Sequence, residues 1–189
     1  ACTMGAIDIN TLPIFDVEYI FLQIRAKSVG EITKLKLLCP DDKKTYAEVE
    51  IDLSKVEVHV DENHSNNIVV DEKKKIGLIM SYPTINSVDP EENTKGMKTK
   101  QMFDMLANTV YQVYEGDKIH AAGDYTKEEM HKFLESLDSK AYRKINEFFD
   151  TMPKLKQDIE LENPTTKVKS KLTLQGIADF FVLPSLTKV

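Results

Sequence analysis

The stretch from Leu12 to Gly30 constrains the fold of this chain more than any other. Its apolar side chains recur at the three- and four-residue spacing of an α-helix. Asp16 fits the N-cap, and Gly30 lies just past the last turn, where a left-handed residue is usual. The apolar stripe is formed by Val17, Ile20, Phe21 and Ile24 and is widened by Tyr19 and Leu22. A helix this apolar must be covered on most sides, so we expect the neighbouring strands to pack on it.

Alternating apolar and polar residues follow this helix. In residues 31–39 and 46–53 the period changes from 3.6 to 2, and the turn between them, 40–44, contains proline and aspartate. The pattern predicts an antiparallel β-hairpin with one buried and one solvated face. Shorter alternating segments continue as far as Pro83. We therefore expect a meander of four or five strands packed on the helix.

The second half of the chain is predicted to be helical first. Amphipathic spacing predicts a helix from about Thr99 to Tyr114, and the capping box at 126–129 begins another. A third helix ends before Pro153. Two alternating segments around the turn Asn163 to Thr166 predict a closing hairpin. The predicted fold class is α+β, with antiparallel β-hairpins or a meander packed on an N-terminal helix, then a small helical region and a C-terminal hairpin.

An aperiodic stretch at 84–96, which contains proline, asparagine, glycine and charged residues, separates the two halves. Such a composition is typical of an interdomain linker. We predict a helix with an antiparallel sheet in residues 1–83, a linker in 84–96, and a helical subdomain with a C-terminal hairpin and tail in 97–189. Because the chain begins at Ala1 without an initiator methionine, we also expect a processed or truncated N-terminus.

Composition argues against several classes of protein. The 189 residues are 41% hydrophobic and 30% charged, which is typical of a globular chain. A net charge of −6 argues against binding to nucleic acid and to anionic membrane surfaces. No apolar run approaches about 18 residues, the length that a membrane span needs. Cys2 and Cys39 do not make a disulfide framework, so reduced thiols in a cytosolic compartment are expected.

The motifs of common active sites are missing from the sequence. All seven glycines are isolated, so there is neither a glycine-rich phosphate loop nor a G-x-S-x-G elbow. His59 and His64 are the nearest approach to a metal cluster, but alternation places His59 on the solvated face of a strand. Cys39 begins a turn where a zinc ribbon would place C-x-x-C, but Asp42 occupies the second position. We predict no catalytic, cofactor-binding or metal-binding residue.

The apolar segment near the C-terminus, from Ile177 to Leu186, belongs to none of these predicted elements. Adjacent aromatic residues are typical anchors of protein–protein interfaces. The predicted partner-binding residues are Ile177, Phe180, Phe181 and Leu183. The alternative is that this segment folds back on the core of its own chain.

Three stretches carry a resemblance to a known family: FDVEYIFLQIRAKSVGEI (15–32), EFFDTMPKL (147–155) and LQGIADFF (174–181). Together with SKAYRKINEFFDTMP (139–153), they resemble the baseplate hub, or hub-assembly, proteins of T-even-like contractile-tailed bacteriophages. The resemblance extends from about Leu12 to Phe181. Members of that family usually carry a further segment before the first helix, which agrees with the abrupt start here.

The resemblance implies a non-enzymatic role, as a part of the central hub or as a factor needed to build it. Its partners would be other hub and tail proteins, with a possible oligomer within the hub and no cofactor, nucleic acid or membrane. It would be found in the baseplate of the virion tail or in the host cytoplasm during assembly. Some relatives have cysteine pairs at the hairpin turns, where this chain has Asp42 and residues 163–166.

Two other functions stay open. A tail-associated cell-wall hydrolase would need a pocket where aspartate, glutamate or histidine side chains converge. A small metal-binding module would use Cys39, His59 and His64.

Overall fold

The structure is a computed structural model, and it describes residues 5–87 and 99–181, with the backbone alone for 99–102. The helices are α1 (Ile14–Val29), α2 (Thr99–Thr109), α3 (Lys127–Glu135), α4 (Ser139–Thr151) and α5 (Gly176–Asp179). The strands are β1 (Ile32–Leu38), β2 (Tyr46–Asp52), β3 (Glu57–His59), β4 (Asn67–Asp71), β5 (Ile76–Met80), β6 (Val110–Glu115), β7 (Lys118–Ala121), β8 (Lys154–Glu162) and β9 (Lys169–Gln175). Single 3₁₀ turns occur at Leu53–Lys55, Ile85–Ser87 and Ala122–Asp124.

The strands form three antiparallel sheets, with the orders β1-β2, β3-β8-β9 and β4-β5-β6-β7. The predicted α+β class is confirmed, with a helix near the N-terminus and a hairpin near the C-terminus. Within the described ranges, no helix is long and apolar enough to span a bilayer.

The chain divides into two compact units, and the first contains the described residues 5–7, 15–59 and 153–181. Helix α1, both smaller sheets and the C-terminal segment contribute to its core. The buried core residues are Leu22, Ala26, Leu35, Ile51, Leu53, Val56, Leu155, Ile159, Leu174 and Phe180. Cross-strand ion pairs cover the other face of the first hairpin, Lys34 Nζ to Glu50 Oε1 at 3.0 Å and Lys36 Nζ to Glu48 Oε1 at 3.1 Å. One face of this hairpin is therefore buried and the other solvated, as the alternation predicts.

The second unit contains the described residues 8–14, 60–87 and 99–152. Its core consists of Ile68, Leu78, Met80, Leu106, Val110, Val113, Met130, Leu134, Ile145 and Phe148. The capping box is present: Thr126 Oγ1 accepts from the Glu129 N–H at 3.2 Å, and Glu129 Oε2 accepts from the Thr126 N–H at 2.8 Å. Asp138 caps α4 by accepting from the N–H groups of Lys140 and Ala141.

The helix predicted to extend from Thr99 to Tyr114 ends at Thr109, and the remaining residues form β6. Val110 and Val113 are both buried, which is the three-residue spacing of a helix. The cause is an irregular register, because Met80 pairs with Val110 whereas Ile79 pairs with Gln112. Tyr111 is the extra residue of this bulge, and it puts the two valines on the same face of the strand.

The strands do not form the single meander that the sequence predicts. Strand β3 pairs with β8, and β5 pairs with β6, so the strands of the first half are shared among all three sheets. The period of two specifies which face of a strand is buried but does not specify its partner. The two compact units therefore divide the chain at positions other than the predicted 1–83, 84–96 and 97–189. Residues 88–96 of the predicted linker lie outside the described residues.

Candidate protein-binding surface

Two exposed phenylalanine rings meet on the surface of the first unit. The Phe21 side chain on α1 is 52% exposed, and Phe181, just after α5, is 37% exposed. Their ring centroids lie 5.8 Å apart with the planes at 76°, an edge-to-face contact. We call these two residues the aromatic pair. Two large apolar side chains that contact each other and still face solvent form a surface suited to protein association.

Helix α1 is less covered than its sequence predicts. Of its residues, Leu22 and Ala26 are fully buried, whereas Phe21 faces solvent. Neighbouring helical residues point about 100° apart, so Phe21 cannot share the direction of Leu22. The apolar stripe of α1 is wider than the part of the helix surface that the core of this unit covers. The part of the stripe that stays uncovered lies at the aromatic pair.

The segment after β9 is fixed to α1 by contacts of two kinds. The Phe180 ring is completely buried in the core of the first unit. The N–H of Ile177 donates a hydrogen bond to the carboxylate of Glu18 on α1. Burial of Glu18 raises the pKa of its carboxyl group, and the hydrogen bond from Ile177 opposes that rise. These contacts hold Phe181 in place beside Phe21.

The predicted partner-binding residues have different surroundings. Phe181 is exposed and Ile177 is half-buried. Phe180 is inside the core, so it stabilises the fold and offers no surface to a partner. Leu183 lies outside the described residues. The sequence did not single out Phe21 as a surface residue, because its spacing fits the apolar stripe of α1. The width of that stripe was the available signal that one of its members would be exposed.

His64 lies in a half-buried aromatic cluster of the second unit. Its Nδ1 is 2.9 Å from Thr151 Oγ1, and its Nε2 is 2.9 Å from the Tyr82 hydroxyl. Thr151 Oγ1 donates to the Glu147 carbonyl at 2.6 Å, so it accepts from a protonated Nδ1 of His64. In the neutral form of the imidazole, Nε2 then accepts from the Tyr82 hydroxyl. Burial lowers the pKa of His64, whereas the charge of Asp61 opposes that shift.

The candidate metal ligands have different surroundings. His59 is exposed on β3, opposite Lys154, and belongs to the first unit, whereas His64 belongs to the second. Cys39 is fully buried, and this burial together with the charges of Asp41 and Asp42 raises the pKa of its thiol. Among residues 5–87 and 99–181, no group of three or more His, Cys, Asp or Glu side chains is placed to hold an ion.

The turns that begin with Cys39 and Asn163 are joined by hydrogen bonds. Asn163 is fully buried, and its Nδ2 donates to both carboxylate oxygens of Asp41 at 3.0 Å. Thr166 Oγ1 also donates to Asp41, and both contacts hold the pKa of Asp41 below its usual range. Asp42 accepts from Thr45, which lowers the pKa of Asp42 as well. These hydrogen bonds connect the two turns to each other.

A cavity of about 180 Å³ lies in the second unit. Its lining consists of Val113, Tyr125, Glu129, Met130 and Phe133. Among the described residues of that lining, Glu129 is the single carboxylate, and it already accepts hydrogen bonds from Thr126. Glycoside hydrolysis needs two carboxyl groups that flank the substrate, and the described lining supplies one.

Comparison with known proteins places the chain in a family. No protein of curated function and no solved structure matches it. One family model does match, described as T4 bacteriophage base plate protein, and the match covers residues 1–182. The match therefore includes all three stretches of the hub resemblance and the aromatic pair. This chain belongs to the T4 bacteriophage base plate protein family.

Proposed function

We propose that the protein is a component of the central baseplate hub, or a factor that builds the hub, and that it acts by binding other tail proteins without catalysing a reaction. Membership of the base plate family supports the tail context. The three hub-like stretches, at 15–32, 147–155 and 174–181, support the position within the baseplate. We propose the virion tail baseplate as its location and the host cytoplasm as the place where it is assembled.

The observation that carries the mechanism is the aromatic pair, Phe21 and Phe181. Binding energy in protein interfaces concentrates on a few rigid aromatic anchors that become desolvated in the complex. Phe181 meets this description because the buried Phe180 and the bond from Ile177 to Glu18 fix the backbone beside it. Little conformational entropy then remains to be lost when a partner covers the two rings.

The proposed partners are other hub or tail proteins, and an oligomer of the chain within the hub is part of the proposal. The net charge of −6 disfavours nucleic acid and anionic membranes as partners. Ile177 and Leu183 belong to the proposed binding segment together with Phe181. Phe180 supports that segment from inside the core.

Co-expression with the other baseplate proteins, followed by size-exclusion chromatography, tests this function. The protein is expected to co-elute with a hub subunit, and Phe181→Asp is expected to remain folded but to elute alone. Val168→Asp is the matched control, because Val168 is 44% exposed in the turn between β8 and β9, away from the aromatic pair. It should co-elute as the unmodified chain does.

Two results would contradict the proposal. The first is failure of the unmodified chain to bind any baseplate protein. The second is full binding by Phe181→Asp, which would show that the aromatic pair is not the interface. Release of soluble fragments from purified cell wall by the chain alone would instead support the hydrolase alternative.

A further inference from the structure

Strand β7 (Lys118–Ala121) is one of the two outer strands of the four-stranded sheet. A two-residue loop joins it to β6, so the pair that closes this hairpin, Glu115 and Lys118, is a hydrogen-bonded pair. Hydrogen-bonded and non-bonded pairs alternate along an antiparallel ladder. The pair Tyr114–Ile119 is therefore non-bonded, and the N–H and C=O of Ile119 point away from β6.

This edge is apolar at its centre. The Ile119 side chain is 67% exposed, although natural edge strands commonly carry a charged side chain as protection against pairing. The next outward N–H, that of Ala121, already donates to Asp124 Oδ2 at 3.0 Å. The backbone of Ile119 is thus the position at which an added strand would form its first bridge.

The cavity of the second unit borders the same β6–β7 hairpin. Its lining residue Val113 pairs with His120 of β7. Another lining residue, Tyr125, has its ring centroid 5.9 Å from that of His120. Side chains of an extended segment point alternately to the two faces of a sheet. A segment added beside β7 would therefore direct every second side chain to the face that holds the cavity, whose lining suits an aliphatic or aromatic group.

The surroundings are acidic. Between positions 115 and 129 the chain carries five carboxylates and two lysines. The carboxylates are Glu115, Asp117, Asp124, Glu128 and Glu129, and the lysines are Lys118 and Lys127. This excess favours a partner segment with lysine or arginine side chains beside its apolar residues.

We propose that the edge of β7 and the adjacent cavity form a second docking surface, which binds an extended basic segment of another baseplate protein by strand addition. The bridge at Ile119 supplies backbone hydrogen bonds, the cavity receives one apolar side chain, and the acidic surroundings select the basic segment. This surface belongs to the second unit, whereas the aromatic pair belongs to the first.

The test is an NMR titration of the isotope-labelled full chain with the peptide acetyl-Lys-Val-Lys-Leu-Lys-Val-Lys-amide. We expect saturable shifts of the amide signals of β7 and of the cavity residues, and no such shifts with the same peptide carrying glutamate for lysine. Ile119→Pro removes the outward N–H without removing a bond to β6, so it should weaken binding by about tenfold. Ile119→Thr keeps the N–H and should bind within about twofold of the unmodified chain.

Melting curves of both Ile119 variants establish that they are folded before their affinities are compared. Equal affinities of Ile119→Pro and Ile119→Thr would overturn the proposal, because binding would then not use the edge. Shifts outside β7 and the cavity, or no saturable shift at millimolar peptide, would overturn it as well. Phe181→Asp should leave this titration unchanged, so the result does not depend on the surface of the first unit.

Discussion

The ring of Phe181 meets the ring of Phe21 edge-on, with the centroids 5.8 Å apart, and both rings remain exposed. The neighbouring Phe180 is completely buried. Two adjacent phenylalanines therefore have opposite roles: one holds the segment in the core and the other presents an apolar ring to solvent. The proposed function depends on this division.

The first prediction separates the two phenylalanines by stability. Phe180→Ala should lower the free energy of unfolding by about 3–5 kcal/mol, because it leaves a cavity in the core of the first unit. Phe181→Ala should cost less than about 1 kcal/mol, because its ring is exposed. Urea denaturation of both variants measures the difference. Equal losses would contradict the burial of Phe180.

The second prediction concerns the carboxyl group of Glu18. Burial raises the pKa of Glu18 in the folded chain above its unfolded value of 4.5. Protonated Glu18 therefore makes its full contribution to stability below pH 4.5, and this contribution is lost as the pH rises through the folded pKa. Glu18→Gln keeps an oxygen that can accept from the Ile177 N–H but cannot ionise. The variant should gain stability relative to the unmodified chain between acid and neutral pH. Urea denaturation measures the difference in the free energy of unfolding between the variant and the unmodified chain. If this difference does not change across that pH range, Glu18 is not a buried carboxylate.

The third prediction concerns His64. Its lowered pKa means that the unfolded chain binds the proton first as the pH falls below 6.5, so the free energy of unfolding decreases from that point down to the folded pKa. His64→Asn retains a donor near the Nδ1 position and removes the titration, so this part of the pH dependence should disappear. His59→Asn is the control, because His59 is exposed on β3. If both variants keep the pH dependence, His64 is not its source.

The fourth prediction concerns the buried Asn163. Asn163→Ala should cost about 2–3 kcal/mol, because it removes the two hydrogen bonds that Asn163 donates to Asp41 and the two that it accepts from the N–H groups of Thr165 and Thr166. Thr165→Ala, which keeps the backbone N–H, should cost less than about 0.5 kcal/mol. Thermal unfolding of the two variants, measured in parallel, checks the contrast. A comparable loss in the control would show that Asn163 does not hold the turns.

Local features of the fold could be predicted from the sequence. The capping box at Thr126 and Glu129 satisfies backbone donors within four residues, so its formation depends on local sequence. The first hairpin was predictable for a similar reason, since alternation fixes which of its faces is buried. The pairing of β3 with β8 was not predictable, because partner choice depends on packing between distant segments.

Two errors have specific physical causes. The bulge at Tyr111 gave β6 the spacing of a helix, which concealed the strand. The exposure of Phe21 was concealed because the apolar stripe of α1 is wider than the core that covers it. Adjacent phenylalanines at 180 and 181 indicated an anchor segment, but the sequence alone did not distinguish the ring that is buried from the ring that is exposed.

The central claim is that the aromatic pair contacts another baseplate protein, and site-specific photo-crosslinking in assembled tails tests it most directly. A photoreactive phenylalanine analogue at position 21 should form a crosslink to a hub protein, whereas the same analogue at position 168 should not. Equal crosslinking at the two positions, or none at position 21 in tails that contain the protein, would contradict the account.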